Sequence, residues 1–134
     1  MRAMGVRIDS RTVLVAGAVA LGVSLASLVA YAIVNAIVSF DADSNWPFAF
    51  YVMILLGMAL GGRIAGRARP DAPLAHGSLA ALGAMGVIAV ISVVIDVALG
   101  NDIVDNIVKL VAQTPVPVAV SAFSAYVASR SASP

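Results

Sequence analysis

Two ionisable residues, Asp96 and Lys109, lie within or beside long apolar segments, where a charged group is a candidate for proton or ion coupling. Asp96 is three residues before the expected helix end at Leu99, about 5 Å of rise, so its carboxylate can also reach the membrane interface as a structural group. Lys109 is placed to pair with Asp96 or with Asp105, one helical turn earlier. The sequence therefore leaves open a structural carboxylate, an ion pair, and a proton or cation site.

Asn35 is an amide in the outer half of the first apolar segment, and Gln113 is an amide in the last one. Asn35 shares a helix face with Tyr31, and Gln113 precedes an interruption at Pro115 and Pro117. Together the amides can line a polar pocket closed by a proline kink, and transporters place their substrates at such broken helices. The alternative interpretation is that both amides form hydrogen bonds between helices.

A cluster of arginines, Arg63, Arg67 and Arg69, closes the second apolar segment, with Arg63 and Arg67 one helical turn apart. Arginines at the end of an apolar segment anchor the helix and determine its orientation. The alternative is that the cluster binds the headgroups of anionic lipids, a role for which cytoplasmic cationic clusters are suited.

Motifs for catalysis and cofactor binding are not found in the sequence. The single histidine, His76, has only Asp71 as an acidic neighbour, so we expect a capping or interfacial role and no metal site. No serine has the histidine and carboxylate neighbours of a nucleophile, and the glycine-rich stretch 61–66 does not follow a strand. The sequence has no cysteine, which excludes thiol chemistry. We expect no cofactor and no enzymatic activity.

The composition assigns the elements that position these residues to a membrane. Of the 134 residues, 61% are hydrophobic and 11% charged, with a mean hydropathy of +1.01, whereas a soluble domain carries about 25% charged residues. The net charge of +1 and the scattered basic residues exclude nucleic acid as a partner and leave membrane lipid as the expected one. All acidic residues are aspartates and all but one of the basic residues are arginines, a bias typical of GC-rich bacterial genomes.

Three apolar segments are long enough to cross a bilayer, at about 13–39, 47–65 and 74–99. A secretory signal peptide is the competing interpretation of the first segment. Its apolar run exceeds the roughly 7 to 15 residues of such a peptide, so we expect a retained helix. Pro73 and Gly100 mark the start and stop of the third segment.

The fourth segment, 103–128, begins as an amphipathic helix and is interrupted at Pro115 and Pro117. It is either one kinked helix or an interfacial helix followed by a short span, and we favour the kinked helix because neighbouring helices can satisfy the carbonyls that prolines free. The expected fold is an all-α integral membrane four-helix bundle, a single transmembrane domain over 1–134.

The charges predict an orientation for four spans. One side holds the seven arginines, namely Arg2, Arg7, Arg11, Arg63, Arg67, Arg69 and Arg130. The other side holds Asp41, Asp43, Asp102 and Asp105, with Lys109 as its only cation. By the positive-inside rule, we expect both termini in the cytoplasm of a bacterium and the protein in the inner (plasma) membrane.

Small residues recur in four-residue steps along three segments. They are Ala18, Gly22, Ala26 and Ala30 on the first, Gly57, Gly61 and Ala65 on the second, and Gly77, Ala81 and Ala89, with Ala80 and Ala84, on the third. Because little hydrophobic force acts between helices in lipid, such seams allow the backbones to approach closely. The seams either hold the bundle together or present one face to another protein.

The stretch from Gly61 to Gly77 contains Gly-Gly-Arg-Ile-Ala-Gly-Arg and then His76-Gly77. It resembles a group of short four-helix bacterial membrane proteins of unknown function, in which helix 2 ends in Gly-Gly-x-x-Ala-Gly-Arg and helix 3 begins near His-Gly. The resemblance implies a topology and no activity.

Abundant packing surface and little chemistry favour an accessory or interaction subunit of a larger bacterial inner-membrane assembly, such as a transporter complex. Its partner would be a larger membrane protein or further copies of the chain. The alternative is a small oligomeric transporter of the drug/metabolite or ion-coupled kind, which would use Asp96, Lys109, Asn35 and Gln113.

We predict that a reporter fused after Pro134 reads cytoplasmic and that one inserted near Asp43 reads outside, because the arginines hold their loops in the cytoplasm. Paired phosphatase and fluorescent-protein fusions measure both positions. An external C-terminal reporter beside an unchanged reporter near Asp43 would contradict the fourth span alone.

Overall fold

The computed structural model describes residues 5–39 and 44–131, a part of the chain that is helical and contains no strand. Its helices are α1 (Ser10–Val38), α2 (Trp46–Ala68), α3 (Pro73–Leu99), α4 (Ile103–Gln113) and α5 (Pro115–Ser131). Four stretches are long and apolar enough to cross a membrane, Ser10–Val38, Pro47–Ala68, Pro73–Leu99 and Ile103–Ser131. These are the features of a multi-pass membrane protein. Arg2, Asp41, Asp43 and Pro134 lie outside the described residues.

The helix ends follow from local sequence. Asp9 caps α1 through a hydrogen bond from the backbone N–H of Arg11, so the helix begins before the apolar run does. Helix α2 continues to Ala68 and ends at Arg69, because the residue before a proline is disfavoured in helical conformation. Gly100 ends α3 in the left-handed region at φ 70°, where a glycine is unstrained.

Helices α4 and α5 are joined by Thr114 alone, whose φ of −62° and ψ of −37° are helical. Pro115 cannot donate to the carbonyl of Val111, but the N–H of Thr114 lies 3.3 Å from that oxygen and 3.0 Å from that of Leu110. The Thr114 hydroxyl donates to the Leu110 carbonyl over 2.7 Å. The Val111 carbonyl that Pro115 frees therefore still accepts a hydrogen bond, and the backbone stays helical from α4 into α5.

Helices α2 and α3 form the centre of the bundle. They contact each other, and each also contacts α1 and α5, which do not touch one another within the described residues. Helix α1 runs antiparallel to α2, whereas α5 runs parallel to α2, as Gly62 beside Ser121 and Gly66 beside Ala125 show. Helix α4 contacts only α3 and α5 in the described part of the chain.

Backbone contacts at glycines set the distance between α2 and its neighbours. A Cβ at Gly61 would lie 2.6 Å from the carbonyl oxygen of Ala16 in α1. A Cβ at Gly62 or Gly66 would overlap the carbonyl oxygens of Ser121 and Ala125 in α5. The missing side chains of two consecutive glycines, Gly61 and Gly62, thus allow two different helices to approach the α2 backbone closely. Close approach of this kind supplies the dispersion contacts that hold helices together in lipid.

The interior is built from small side chains. Its buried hydrophobic residues include Ala16, Ala20, Met58, Ala65, Ala80, Ala81, Ala84 and Ala125. Serines join this interior by donating to backbone carbonyls. Ser121 donates to Gly77 in α3 over 2.8 Å, and Ser124 donates to Ala59 in α2 over 2.7 Å. Such bonds fix α5 against both central helices.

The predicted seam of α1 is not the face that packs in the bundle. Gly22 and Ala26 are exposed, and a Cβ at Gly22 would meet nothing within 4 Å. Helix α1 instead buries the face that includes Ala20 and Ser24, and Ser24 satisfies its hydroxyl on the Ala20 carbonyl over 2.7 Å. Two positions along a helix are about 200° apart around its axis, so Gly22 points away from α2. The seam of Gly57, Gly61 and Ala65 does face α1.

We predict that Gly62→Leu lowers the unfolding free energy by at least about 2 kcal/mol, because its side chain would force α5 away from α2. Gly22→Leu is the matched control, since open space surrounds Gly22. Thermal unfolding of the purified protein in detergent compares them. Equal melting temperatures for both variants would show that α2 and α5 are not in backbone contact.

Candidate functional site

Asp96 is held in the last turn of α3 by residues of the following turn and α4. The left-handed Gly100 reverses the chain, and Asp102 caps α4 through hydrogen bonds from two backbone N–H groups, so α4 folds back along α3. Asn106 Nδ2 then donates to Asp96 Oδ2 over 2.7 Å, and Asn101 Nδ2 donates to Oδ1 over 3.3 Å. Asp96 is only 6% exposed, and both carboxylate oxygens have a partner.

Lys109 does not pair with Asp96. Its Nζ lies 2.6 Å from Asp105 Oδ2, and both side chains are exposed. Asp105 lies one turn before Lys109 in α4 and forms the ion pair with its ammonium group. The Asp96 carboxylate instead accepts a hydrogen bond from the side-chain amide of Asn106. Of the predicted pairings, the structure shows the local pair of Lys109 with Asp105, and Asp96 is hydrogen-bonded to amides instead.

A cavity of about 330 Å³ between α3 and α4 gathers three of the predicted polar residues, Asp96, Lys109 and Gln113, together with Asn106 and Ser92. A carboxylate, two amides and an ammonium around one open space are suited to a small polar solute or a cation. The described residues that line this cavity belong to the last turns of α3 and to α4.

Asn35 is separate from this cavity. It is exposed near the end of α1, and α1 makes no contact with α4 in the described chain. The structure therefore does not bring Asn35 into this cavity with Gln113. Gln113 borders a second cavity of about 430 Å³, whose aromatic wall includes Tyr31 and Phe50 in edge-to-face contact at 5.2 Å.

His76 anchors the start of α1 at the opposite end of the bundle. Its side chain is 0% exposed. Nε2 accepts the backbone N–H of Asp9 at 3.0 Å, and Nδ1 donates to the Ala72 carbonyl at 2.8 Å. With both ring nitrogens engaged, the imidazole has no lone pair left for a metal ion. No group of three metal-ligating residues occurs within the described ranges.

Arg69 belongs to the same anchor. It donates to Asp71 over 2.8 Å and to the Arg7 carbonyl over 3.4 Å, and it lies 4.0 Å from Asp9. The hydrogen bond from Arg69 lowers the pKa of Asp71 to about 2, and the hydroxyl of Thr12 is the main cause of a lowered pKa at Asp9. Because folding depresses both values, these carboxylates stabilise the fold above their unfolded pKa, and the contribution is lost as acid protonates them.

The three clustered arginines therefore do different things. Arg69 is hydrogen-bonded and ion-paired to Asp71 in the loop between α2 and α3. Arg63 and Arg67 are exposed and have no hydrogen bond or ion pair to another described residue. They line a cavity of about 520 Å³ between α2 and α5. Asp9 and Thr12, which belong to this anchor, were not predicted from the sequence. Their spacing before the first apolar run is the capping signal that would have found them.

We predict that Asp96→Leu lowers the unfolding free energy by about 1–3 kcal/mol, since two part-buried hydrogen bonds from Asn101 and Asn106 to a carboxylate are lost. Lys109→Met should leave it nearly unchanged, because the ammonium forms an exposed ion pair with Asp105, and such pairs contribute little. Thermal unfolding in detergent measures both. A Lys109→Met loss as large as that of Asp96→Leu would contradict the observed pairing.

Comparison with known proteins adds no relative on which to base a function. No family model, curated protein or solved structure matches the chain.

Proposed function

We propose that the protein is an accessory or interaction subunit of a larger bacterial inner-membrane assembly, such as a transporter complex. One observation carries the proposal. Three glycines are exposed on α1 and α3, with open space where a side chain would be, namely Gly22, Gly83 and Gly86. By contrast, the charged groups around the α3–α4 cavity already have partners, because Asp96 is bonded to Asn106 and Lys109 to Asp105.

Exposed glycines on membrane helices favour a helix partner over lipid. A lipid-facing position gains nothing from a missing side chain, whereas a second helix gains close backbone approach. The outer face of α1 continues from Gly22 to Ala18, which lines an apolar groove of about 320 Å³ between α1 and α3 together with Gly17 and Gly83. A groove with such walls accommodates an apolar helix of a larger membrane protein.

The proposed location is the bacterial inner membrane with both termini in the cytoplasm. The support is the charge distribution, because Arg7, Arg69 and His76 meet at one end of the bundle, and Asp96 and Asp102 lie at the other. The positive-inside rule assigns the arginine-bearing end to the cytoplasm.

A small oligomeric transporter is the second candidate, favoured by the cavity around Asp96, Lys109 and Gln113. This function predicts that Asp96→Asn abolishes transport without changing the amount of protein. For a subunit, the same variant leaves the assembly intact, since the cavity then has no coupling role.

We expect gentle purification from native membranes to recover a larger membrane protein in fixed stoichiometry with this chain. Gly22→Leu should remove that partner without lowering the melting temperature of the isolated chain, because the space at Gly22 is open in the bundle. Leu56→Phe, which adds bulk on an exposed face of α2, is the control and should keep the partner. Recovery of the chain only with copies of itself would contradict the subunit proposal and favour the transporter.

A further inference from the structure

A groove runs between α2 and α5 at the arginine-bearing end of the bundle. We call it the α2–α5 groove, and its walls include Arg63, Arg67, Val120, Phe123, Ser124 and Val127. Its volume is about 520 Å³. It is remote from the outer face of α1, because α1 and α5 make no contact in the described residues and pack on different sides of the central helices.

The arginines stand at the edge of a backbone contact. Gly62 and Gly66 touch α5, and each is followed directly by an arginine, Arg63 or Arg67. One residue is a rotation of about 100° around a helix, so both arginines flank the contact on the same side, one turn apart. The close approach that the glycines permit thus sets two guanidinium groups beside the surface of α5.

Within the described part of the chain these guanidinium groups have no counterion. None of the described residues that line the groove carries a carboxylate, and neither arginine has an ion pair or hydrogen bond to another described residue. The hydroxyl of Ser124 donates its hydrogen bond to the Ala59 carbonyl, so its proton is not available to an anion in the groove. Each guanidinium group presents several N–H donors in a plane, so an anion with several acceptor oxygens suits the pair. Phosphate is such an anion, and guanidinium groups bind it with paired hydrogen bonds.

The wall opposite the arginines is apolar. Phe123 is 68% exposed and Val127 is 47% exposed, with Val120 behind them. A soluble anion would leave this wall uncovered, whereas a lipid places a phosphate and an acyl chain side by side. Arg63 lies about 6 Å deeper along α2 than Arg67, and its stem lets the charged head rise toward the headgroups.

We propose that the α2–α5 groove binds one anionic phospholipid. Arg63 and Arg67 hold the phosphate, and Phe123 with its apolar neighbours contacts an acyl chain. Arg69 takes no part, because it is bonded to Asp71. The inference does not depend on the proposed subunit function, since it concerns a different surface.

The test compares full-length protein in detergent with an equimolar mixture of phosphatidylglycerol and phosphatidylcholine, by native mass spectrometry of the lipid that stays bound. We expect preferential retention of one phosphatidylglycerol. Arg63→Gln with Arg67→Gln should weaken that preference roughly tenfold or more, as expected when charge-assisted hydrogen bonds are lost. Arg7→Gln with Arg11→Gln removes the same charge at the same end and should leave the preference unchanged.

Two further measurements separate a lipid site from a general anion site. Phe123→Ala should weaken retention of both lipids while keeping their ratio, because it removes acyl-chain contact and leaves the arginines in place. Excess inorganic phosphate should not displace phosphatidylglycerol. Displacement by inorganic phosphate, or an equal loss in the two double-arginine variants, would overturn the proposal. Unchanged melting temperatures would show that each variant is folded.

Discussion

The contact of the α2 backbone with two neighbouring helices is the constraint on which the rest of the bundle depends. At Gly61 the α2 backbone lies against the backbone of α1, and at Gly62 it lies against the backbone of α5. Apolar side chains gain little from leaving lipid for a helix interface, so the strength of such contacts depends on how closely the backbones approach. The same approach positions the serines of α5 to donate to carbonyls of α2 and α3.

Polar groups act at the two ends of this apolar bundle. At one end His76 and Arg69 tie the start of α1 to the loop between α2 and α3. At the other end Asp96 ties α4 to α3 through Asn106. Charges that the bilayer would penalise in the middle of a helix are stabilising at its ends, where partners and water are close. The polar residues thus fix the connections, and the small residues fix the distances.

The four long apolar helical stretches were predictable because length and hydropathy determine them, and their ends were predictable to within a few residues. The faces through which the helices pack were less predictable from the sequence. Gly57 and Gly61 were identified as a seam, whereas Gly62 and Gly66, with the same four-residue spacing, were missed, as was the Ser24 face of α1. A serine bonded to its own helix is equivalent to a small residue at an interface, and sequence spacing does not reveal that bond. Partner choice at the polar sites needed the fold as well, since Asn106 reaches Asp96 only after Gly100 reverses the chain.

The alanine and glycine interior has a consequence for assembly. Neither residue has a side-chain rotamer to lose when it is buried, so docking α1 and α5 onto the central helices costs little side-chain conformational entropy. Long aliphatic side chains such as Leu56 and Ile33 stay on the outside, where contact with fluid acyl chains leaves them mobile. Helices inserted separately can therefore associate by fitting backbone to backbone, without first ordering the side chains that cover the finished protein.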